Sequence, residues 1–524
     1  MITGPSIPHL DHPFVGREKE IQEIESLLSQ QQGSMSLISG KLFNLDGAGG
    51  VGKTSLAIEI VNRFKHLFKD GILPLKRADE ITPVSFSMDL ARLFYIEITE
   101  PPDNTQAQQV ITAILRDKNA CIILDNVISW DALRYMIPLE TRCALIITTR
   151  DRDIYNHLRL AYRNYTMQEI SLEKFTESEA IALFKAMLER KYSEKDHSIY
   201  LGIAGNLGYL PIALRQAISL MVYKPHYSAS DLYDTLQKDN RLDLLRRGST
   251  EEGMDSRAIE VVYELSSLSS NDTLREALEY SAICAPGPIP LTFLIQLSGK
   301  EKIKENLEEL FTYSWLEKRI IDGSIHFELH QLVRELVFKK YGRRFSSHYL
   351  STVNNLFTDE SIHFSKKDQL ISQLREACDQ ASLQEQDYLK DWMYDLYSYC
   401  TYRGHAQLYH SLLQKVEDNF SDDKWTIRGV YGYRALILRD WGKFDEAMKM
   451  HKKEEEIKEA LGDRAGLAIC WWNMGLIHKD RKNKKKTIEL WEKSIKTIQS
   501  IGVHIKGIDE KKLKELRENM ERDS

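Results

Sequence analysis

The sequence predicts a multidomain protein: an open, largely parallel α/β sheet, then an α-helical domain, a winged-helix domain, and an α-solenoid of tetratricopeptide-like (TPR-like) repeats. Three observations predict this order. Short apolar runs alternate with amphipathic helical patterns as far as Ile170, the βαβ rhythm of a sheet covered on both faces. Beyond Ser171 helical spacing takes over, interrupted by a single hairpin signal. From about residue 385 a pattern of aromatic and small residues recurs about every forty residues, as stacked helical repeats require. At 524 residues the chain also exceeds what one hydrophobic core serves.

The elements follow in order. After an N-terminal tail (1–13), the α/β domain is expected over 14–171, with strands at Lys41–Asp46, Ile72–Lys76, Ala120–Leu124, Ala144–Thr149 and Thr166–Ile170. Leu56, Ile60, Val61 and Phe64 mark the helix after the first strand. Residues 172–245 read as a helical domain, with Ala180, Leu183, Phe184 and Met187 at helical spacing. The polar stretch Asp239–Ser256 reads as a linker. Several short helices and an Arg319–Phe327 hairpin, split by Asp322-Gly323, make 257–345 a winged-helix domain. A helical linker (346–384) then leads to the repeats (385–505) and a charged C-terminal helix or tail (506–524).

In the repeats, Trp471, Met474, Gly475 and His478 fall on the W-x2-L-G-x2-Y spacing of a tetratricopeptide helix, and Tyr431, Arg434, Ala435 and Leu438 occupy the matching earlier positions. Gly442, Phe444 and Ala447 open the second helix of the earlier repeat and are echoed by Lys482, Lys484 and Thr487. A third, degenerate copy is expected around Gly404. Small residues at these spacings let paired helices approach closely.

Composition narrows the partners. A net charge of -6 gives no global electrostatic reason to expect nucleic acid or an anionic membrane. Six scattered cysteines (Cys121, Cys143, Cys284, Cys378, Cys400, Cys470), none in a C-x-x-C pair, read as buried thiols of a reducing compartment. No apolar run is long enough to span a bilayer, and Met1–Pro13 lacks the apolar core of a signal peptide. A cytoplasmic location is expected.

The segment Gly47-Ala48-Gly49-Gly50-Val51-Gly52-Lys53-Thr54, followed by Ser55, fits G-x-x-x-x-G-K-[ST] between a strand and a helix. Glycines let backbone N–H groups curl around phosphate oxygens, and the helix N-terminus adds its partial positive charge. Lys53 would reach the terminal phosphates of ATP or ADP, and the Thr54 hydroxyl would ligate Mg²⁺. A ligandless glycine turn is the bland alternative; the strand-loop-helix context disfavours it. Asp125, following the apolar run Cys121–Leu124, supplies the carboxylate that the Mg²⁺ shell of a P-loop NTPase needs beside Thr54. Asn126 follows, where vigorous ATPases often carry a second acid; an amide orients water but cannot take its proton, so slow hydrolysis is expected. Arg150, ending the next strand, is placed to sense the γ-phosphate.

Phe14-Val15-Gly16-Arg17-Glu18, the glycine loop, Asp125-Asn126, Thr148-Thr149-Arg150, Gly208-Tyr209-Leu210-Pro211-Ile212-Ala213-Leu214 and His330 occur in an order that resembles NB-ARC proteins. These are signal-transduction ATPases with numerous domains (STAND), and the resemblance covers roughly residues 12–345. It implies that Val15 and Arg17 line the adenine pocket and that Pro211 packs on the adenine from the helical domain. It also implies that His330 is the histidine of an M-H-D motif reaching the β-phosphate of ADP. Here Leu329 replaces the Met and Gln331 the Asp, so the acidic restraint of that motif is missing. His326, four residues before His330, invites a metal reading, but the alternating pattern between them is that of a strand and gives no helical ligand geometry. The basic run Lys479–Lys486 reads as a solvated turn, with an acidic-partner dock as the sharper alternative.

The functional expectation is a nucleotide-gated hinge. ADP holds three modules closed, ATP opens them, and the repeats recognise a protein or peptide trigger that favours the open form. Oligomerisation on activation is expected. With the nucleotide domain starting near residue 14, a separate effector protein is expected too, and an immune or antiphage role follows only by family analogy. The alternatives are a DNA-binding regulator acting through the winged helix, which the mixed charge of Gln331–Lys340 disfavours, and an ordinary P-loop ATPase or kinase.

Overall fold

The structure, a computed structural model, describes residues 10, 12–29, 41–47, 49–73, 76–77, 81–96, 104–151, 153–224, 227–238, 251–266, 268, 270–321, 323–403, 405–505 and 507–522. It divides into two compact units, with the boundary after Thr352.

The first unit begins with helix α1 (Glu18–Ser29) and a parallel sheet. Its strands are β1 (Lys41–Gly47), β2 (Gly71–Ile72), β3 (Lys76–Arg77), β4 (Ala120–Val127), β5 (Ala144–Thr149) and β6 (Thr166–Leu172), in the order β2-β4-β5-β1-β6 with β3 also beside β4. Central β5 is buried along its whole length, as a parallel strand covered on both faces must be. Edge strand β6 is buried only at Ile170 and Leu172. Between them β1 pairs in register with both, Leu45 opposite Thr148 and Ile170. This register carries the glycine loop out at the carboxyl edge of the sheet, beside the ends of β4 and β5, where ligands of open α/β sheets bind. Helix α2 (Lys53–Phe64) leaves the loop with Leu56, Ile60, Val61 and Phe64 buried.

One predicted strand is corrected. Ile72–Lys76 is not continuous: β2 and β3 are two-residue pairings against β4, with residues 74 and 75 outside those described. Leu73 is buried, and its N–H donates to the Cys121 carbonyl, so the segment follows β4 without forming a regular ladder.

Helices α3 (Pro83–Leu93), α4 (Asn104–Leu115), α5 (Trp130–Met136) and α6 (Asp153–Ala161) complete the α/β part. The helical region follows with α7 (Glu177–Leu188), α8 (His197–Asn206), α9 (Pro211–Tyr223) and α10 (Ala229–Lys238). Thr176 and Glu179 cap α7 reciprocally, each side chain taking a backbone N–H of the other residue. Pro211 opens α9 at a position where its missing N–H costs nothing.

The polar stretch read as a linker is also corrected. Residues 239–250 lie outside those described, but from Glu251 the chain is already helix α11 (Glu251–Leu265), anchored by buried Ala258, Ile259, Val261 and Val262. That apolar stripe extends the helix backward through the charged residues. Helices α12 (Asp272–Ile283), α13 (Leu291–Ser298), α14 (Ile303–Thr312) and α15 (Gln331–Tyr341) pack with a hairpin longer than the one read from sequence, β8 (Leu316–Ile321) against β9 (Ser324–Leu329). A short strand, β7 (Ile289–Pro290), adds to β9 as a third member. His326 stands on β9 with its Nδ1 3.0 Å from the Ser324 carbonyl, so it has strand geometry.

The second unit is helical. Its last four long helices, α16 (Lys424–Asp440), α17 (Phe444–Ala460), α18 (Arg464–Asp480) and α19 (Lys484–Ile501), form two antiparallel pairs, and α20 (Glu510–Arg522) follows. Asp423 and Asp463, forty positions apart, each cap the first helix of a pair. Gly475 is small for a physical reason: a Cβ there would stand 2.5 Å from the indole of Trp491, which stacks on Trp472 at 4.3 Å. Leu513 of α20 closes over this pair. In the other interior, Glu454 accepts from Lys458 Nζ and lies 2.7 Å from His451 Nδ1, a buried ionic knot. Gly404, the centre of the expected third copy, lies outside the described residues. All six cysteines are buried thiols. Among the described residues no helix is long and apolar enough to cross a membrane.

Candidate functional site

A pocket in the first unit gathers residues from its α/β, helical and winged-helix parts. Its floor is the glycine loop. Gly50 (φ +78°) and Gly52 (φ +101°) take the left-handed backbone that glycine alone adopts at little cost, which turns the chain from β1 into α2. Gly49, Val51, Lys53, Thr54 and Ser55 line the same pocket; Ala48 is outside the described residues, and Gly47 ends β1. The loop is also covered from above. A Cβ on Gly50 would stand 2.7 Å from Ile212 Cγ2 and 3.3 Å from Leu332 Cδ1, and one on Gly49 would meet Arg150 and Leu332 at 3.4 Å.

Asp125 is only 5% exposed. Its Oδ1 accepts from Thr54 Oγ1 at 2.8 Å and from Thr148 Oγ1 at 2.6 Å. The β4–β5 register shifts between Leu124 and Val127, and Asn126 has φ +55°, with its N–H donating to Thr148 Oγ1 at 2.8 Å. The irregularity turns Asp125 onto Thr54, and Thr148 fixes both. Thr148 is thus a positioning residue that sequence reading grouped with a motif without a role. The Thr54 hydroxyl and Asp125 carboxylate are a hard oxygen pair at one point, a donor set that fits magnesium.

Arg150 follows β5 and stands beside Gly49, at the phosphate end. Val15, with Leu10, Pro13 and Phe14, lines the pocket too. Arg17 lines the pocket as well, but its guanidinium is held by protein atoms. Nη2 donates to the carbonyls of Val51 (3.0 Å) and Glu173 (2.6 Å), Nη1 reaches Glu20 at 3.3 Å, and the plane lies over Phe175. It is a strut between the glycine loop and the segment entering the helical region. Its backbone N–H donates to Glu179 Oε1 at 3.0 Å, which docks the Gly16-Arg17 turn on the cap of α7.

Pro211, buried at the start of α9, and Ile212 bring the helical region to the pocket wall. His330 comes from the winged-helix part, where it caps α15: Nδ1 accepts from Leu332 N–H at 3.2 Å. Burial pushes its pKa down to about 4, with Glu317 opposing and Arg150, Lys53 and Arg215 reinforcing the fall. The ring is therefore neutral near pH 7. With Nδ1 accepting, its proton sits on Nε2, a single uncharged donor. Gln331 lines the pocket too, and its amide bonds Glu335 on its own helix at 3.1 Å.

Sequence reading missed the hairpin's share. Glu317 and Arg319 of β8 and Glu328 of β9 line the pocket together with Arg215 of α9. Arg319 pairs with Glu328 at 2.8 Å and Glu317 at 3.5 Å, and Arg215 pairs with Glu317 at 3.5 Å. The available signal was strand alternation, which puts Glu317 and Arg319 on one face and pairs Glu317 opposite Glu328.

A glycine loop closing a parallel strand, with a threonine-held aspartate on the neighbouring strand, defines a P-loop nucleotide-binding protein. The family model of the NB-ARC domain matches residues 17–194, and this region is an NB-ARC domain. Over 268 residues the chain is 26% identical to the regulatory protein AfsR of Streptomyces coelicolor, covering 49% of this chain and 25% of that protein. Over 233 residues it is 23% identical to the probable disease resistance protein RF45 of Arabidopsis thaliana, covering 42% and 22%. The chain thus spans about a quarter of the length of these curated relatives. It shares its fold with the crystal structure of a STAND protein with a tetratricopeptide repeat sensor from Pyrococcus horikoshii, with a TM-score of 0.52 at 16% identity, covering 96% of this chain and 79% of that one.

Proposed function

We propose that this NB-ARC chain is an ADP/ATP-dependent signalling switch, closed around ADP and opened by ATP. The observation that carries the reading is the convergence of three parts on one pocket: Lys53, Thr54, Asp125 and Arg150 from the α/β part, Pro211 and Arg215 from the helical part, and Glu317, His330 and Leu332 from the winged-helix part. A ligand held by all three stabilises their closed arrangement by its differential affinity for that state. In this reading the loop amides and Lys53 bind phosphate oxygens, His330 Nε2–H donates to the β-phosphate, and Thr54 and Asp125 hold Mg²⁺. Val15 and Pro211 flank the base. Asn126 in place of a second acid makes hydrolysis slow, so turnover resets the switch. The repeat unit binds a protein or peptide trigger, and the open form assembles.

The test is to purify the chain, identify the retained nucleotide, and size it with ADP and with a non-hydrolysable ATP analogue. Retained ADP, and a monomer that assembles only with the analogue, are expected; Lys53→Ala loses both properties. Unchanged nucleotide retention and assembly in Lys53→Ala would sink the reading.

The regulatory name of AfsR favours a second reading, DNA binding through the winged helix. Against it, α15 has its basic residues engaged: buried Arg334 donates to the carbonyls of Ala282 and Cys284, and Lys339 and Lys340 pair with Glu260. A gel shift that persists without nucleotide would favour this reading over the switch.

A further inference from the structure

The phosphate end carries more acid than a phosphate loop requires. Arg17 apart, whose guanidinium is paired with Glu20 and backbone carbonyls, the described lining sets Lys53, Arg150, Arg215 and Arg319 against Asp125, Glu317 and Glu328, four cations and three carboxylates, with His330 neutral beside them. The charges are interlocked. Glu317, Arg150, Lys53 and Arg215 all act on His330, while Arg319 feels Asp125 as well as its own partners Glu328 and Glu317. Three of the seven, Glu317, Arg319 and Glu328, belong to the β8–β9 hairpin, and Arg215–Glu317 ties that hairpin to α9.

We propose that the hairpin carboxylates Glu317 and Glu328 make the closed pocket selective for a nucleoside diphosphate over a triphosphate. Among the described lining residues, and with Arg17 already paired to Glu20 outside the pocket, the four remaining cations exceed the three carboxylates by one charge, and a divalent cation on Thr54 and Asp125 raises the excess to three. That balances a fully ionised nucleoside diphosphate; a third phosphate adds one more negative charge, which meets two carboxylates held on a rigid hairpin. The added charge competes with Glu317 and Glu328 for Arg319 and Arg215. It thereby loosens the Arg215–Glu317 pair that joins the winged-helix part to the helical part. The missing acid at Gln331 is thus replaced from the next strand, by Glu317. This inference rests on the proposed switch and names the residues that set its nucleotide preference.

The test measures affinities for ADP and a non-hydrolysable ATP analogue, both with Mg²⁺, by competition against a fluorescent nucleotide on the full chain. The wild type is expected to prefer ADP. One unit charge in a partly hydrated pocket changes such a preference by about tenfold or more, so Glu317→Gln and Glu328→Gln should each tighten the analogue about tenfold relative to ADP. Arg319→Gln should move the ratio the opposite way, and Glu305→Gln, exposed on α14, should leave it unchanged. Opposite signs for the acid and arginine variants cannot arise from misfolding, which weakens both nucleotides together. A ratio unmoved in the glutamine variants, or both nucleotides shifted equally, overturns the proposal while the switch stands. A wild type that binds neither nucleotide, or a Lys53→Ala chain that binds both normally, overturns the switch itself.

Discussion

Replacing Gly50 by alanine tests whether the glycine loop is shaped by the modules above it as much as by phosphate. The backbone there has φ +78°, where an L-residue costs about 1 kcal/mol. The new Cβ would also stand 2.7 Å from Ile212 Cγ2, far inside the roughly 3.5–4.0 Å of a comfortable carbon contact. Ile212 is β-branched, in the first turn of α9, and has one favoured rotamer, so its methyl cannot swing away. Overpacking of this kind costs about 1–3 kcal/mol. The closed arrangement is therefore weakened by about 2–4 kcal/mol, and apparent ADP affinity falls about 30-fold or more. Gly52→Ala is the comparison: φ is +101° and no protein atom lies within 4 Å of the added carbon, so the substitution meets no part of α9. Ile212→Leu removes the Cγ2 methyl at nearly constant volume and costs less than about 1.5 kcal/mol alone. In a double-mutant cycle read by ADP affinity, Ile212→Leu should recover about tenfold in the Gly50→Ala background and nothing in the Gly52→Ala background. Equal responses in the two backgrounds would refute the claim that α9 closes on the loop at Gly50.

Arg17→Lys keeps the charge but cannot reproduce the fork to the Val51 and Glu173 carbonyls; a loss of about 1–3 kcal/mol is expected, read as a lower melting temperature without nucleotide. Thr148→Val removes one hydrogen bond from the Asp125 carboxylate and one from the Asn126 N–H, and Mg²⁺-dependent nucleotide affinity should fall more than Mg²⁺-free affinity in calorimetric titrations. Gly475→Ala pushes a methyl into the Trp491 ring and should unfold the repeats at lower urea than Gly442→Ala, where φ is +71° but nothing lies within 4 Å. In the buried knot, burial raises the Glu454 carboxyl, but His451 and Lys458 outweigh it and hold its pKa below the ordinary 4.5. A depressed folded pKa adds stability that is complete above 4.5 and lost as pH falls through the lower folded value. Glu454→Gln should therefore remove this acid-limb dependence and, by leaving Lys458 buried without its carboxylate, cost about 3–5 kcal/mol near neutral pH in circular dichroism melts of the full chain.

The sequence is legible where function depends on contiguous residues and opaque where it depends on distant ones. The glycine loop, Asp125 and Arg150 announce themselves because each follows an apolar run that is visible locally, and parallel pairing then places the ends of all three strands at one edge. The forty-residue spacing of Tyr431 and Trp471 is equally local, since each set of matching residues lies within one helix. The break between β2 and β3 is not visible, because an apolar run has the same composition whether or not its ladder is regular. Nor is the start of α11, where charged residues become helix only because the stripe from Ala258 to Val262 is buried further along.

The hairpin is the instructive case. Taken alone, Gln331 removes an acidic restraint, and the motif around His330 reads as weakened. Glu317, fourteen positions earlier, brings an acid to the same pocket because β8 and β9 pair Leu316 with Leu329, which sets the carboxylates of Glu317 and Glu328 one step from His330's own strand end. A motif read as a string of adjacent letters cannot report such a replacement, since the physical requirement is for negative charge at a point in space and any strand reaching that point can supply it. Arg215 meets Glu317 for the same reason: the first turn of α9, fixed by Pro211, sets the height at which its side chain crosses the gap. The strength of the closed state is therefore a property of the β8–β9 register and the α9 start together, and a one-residue slip of β8 against β9 would turn the hairpin charges away from the pocket.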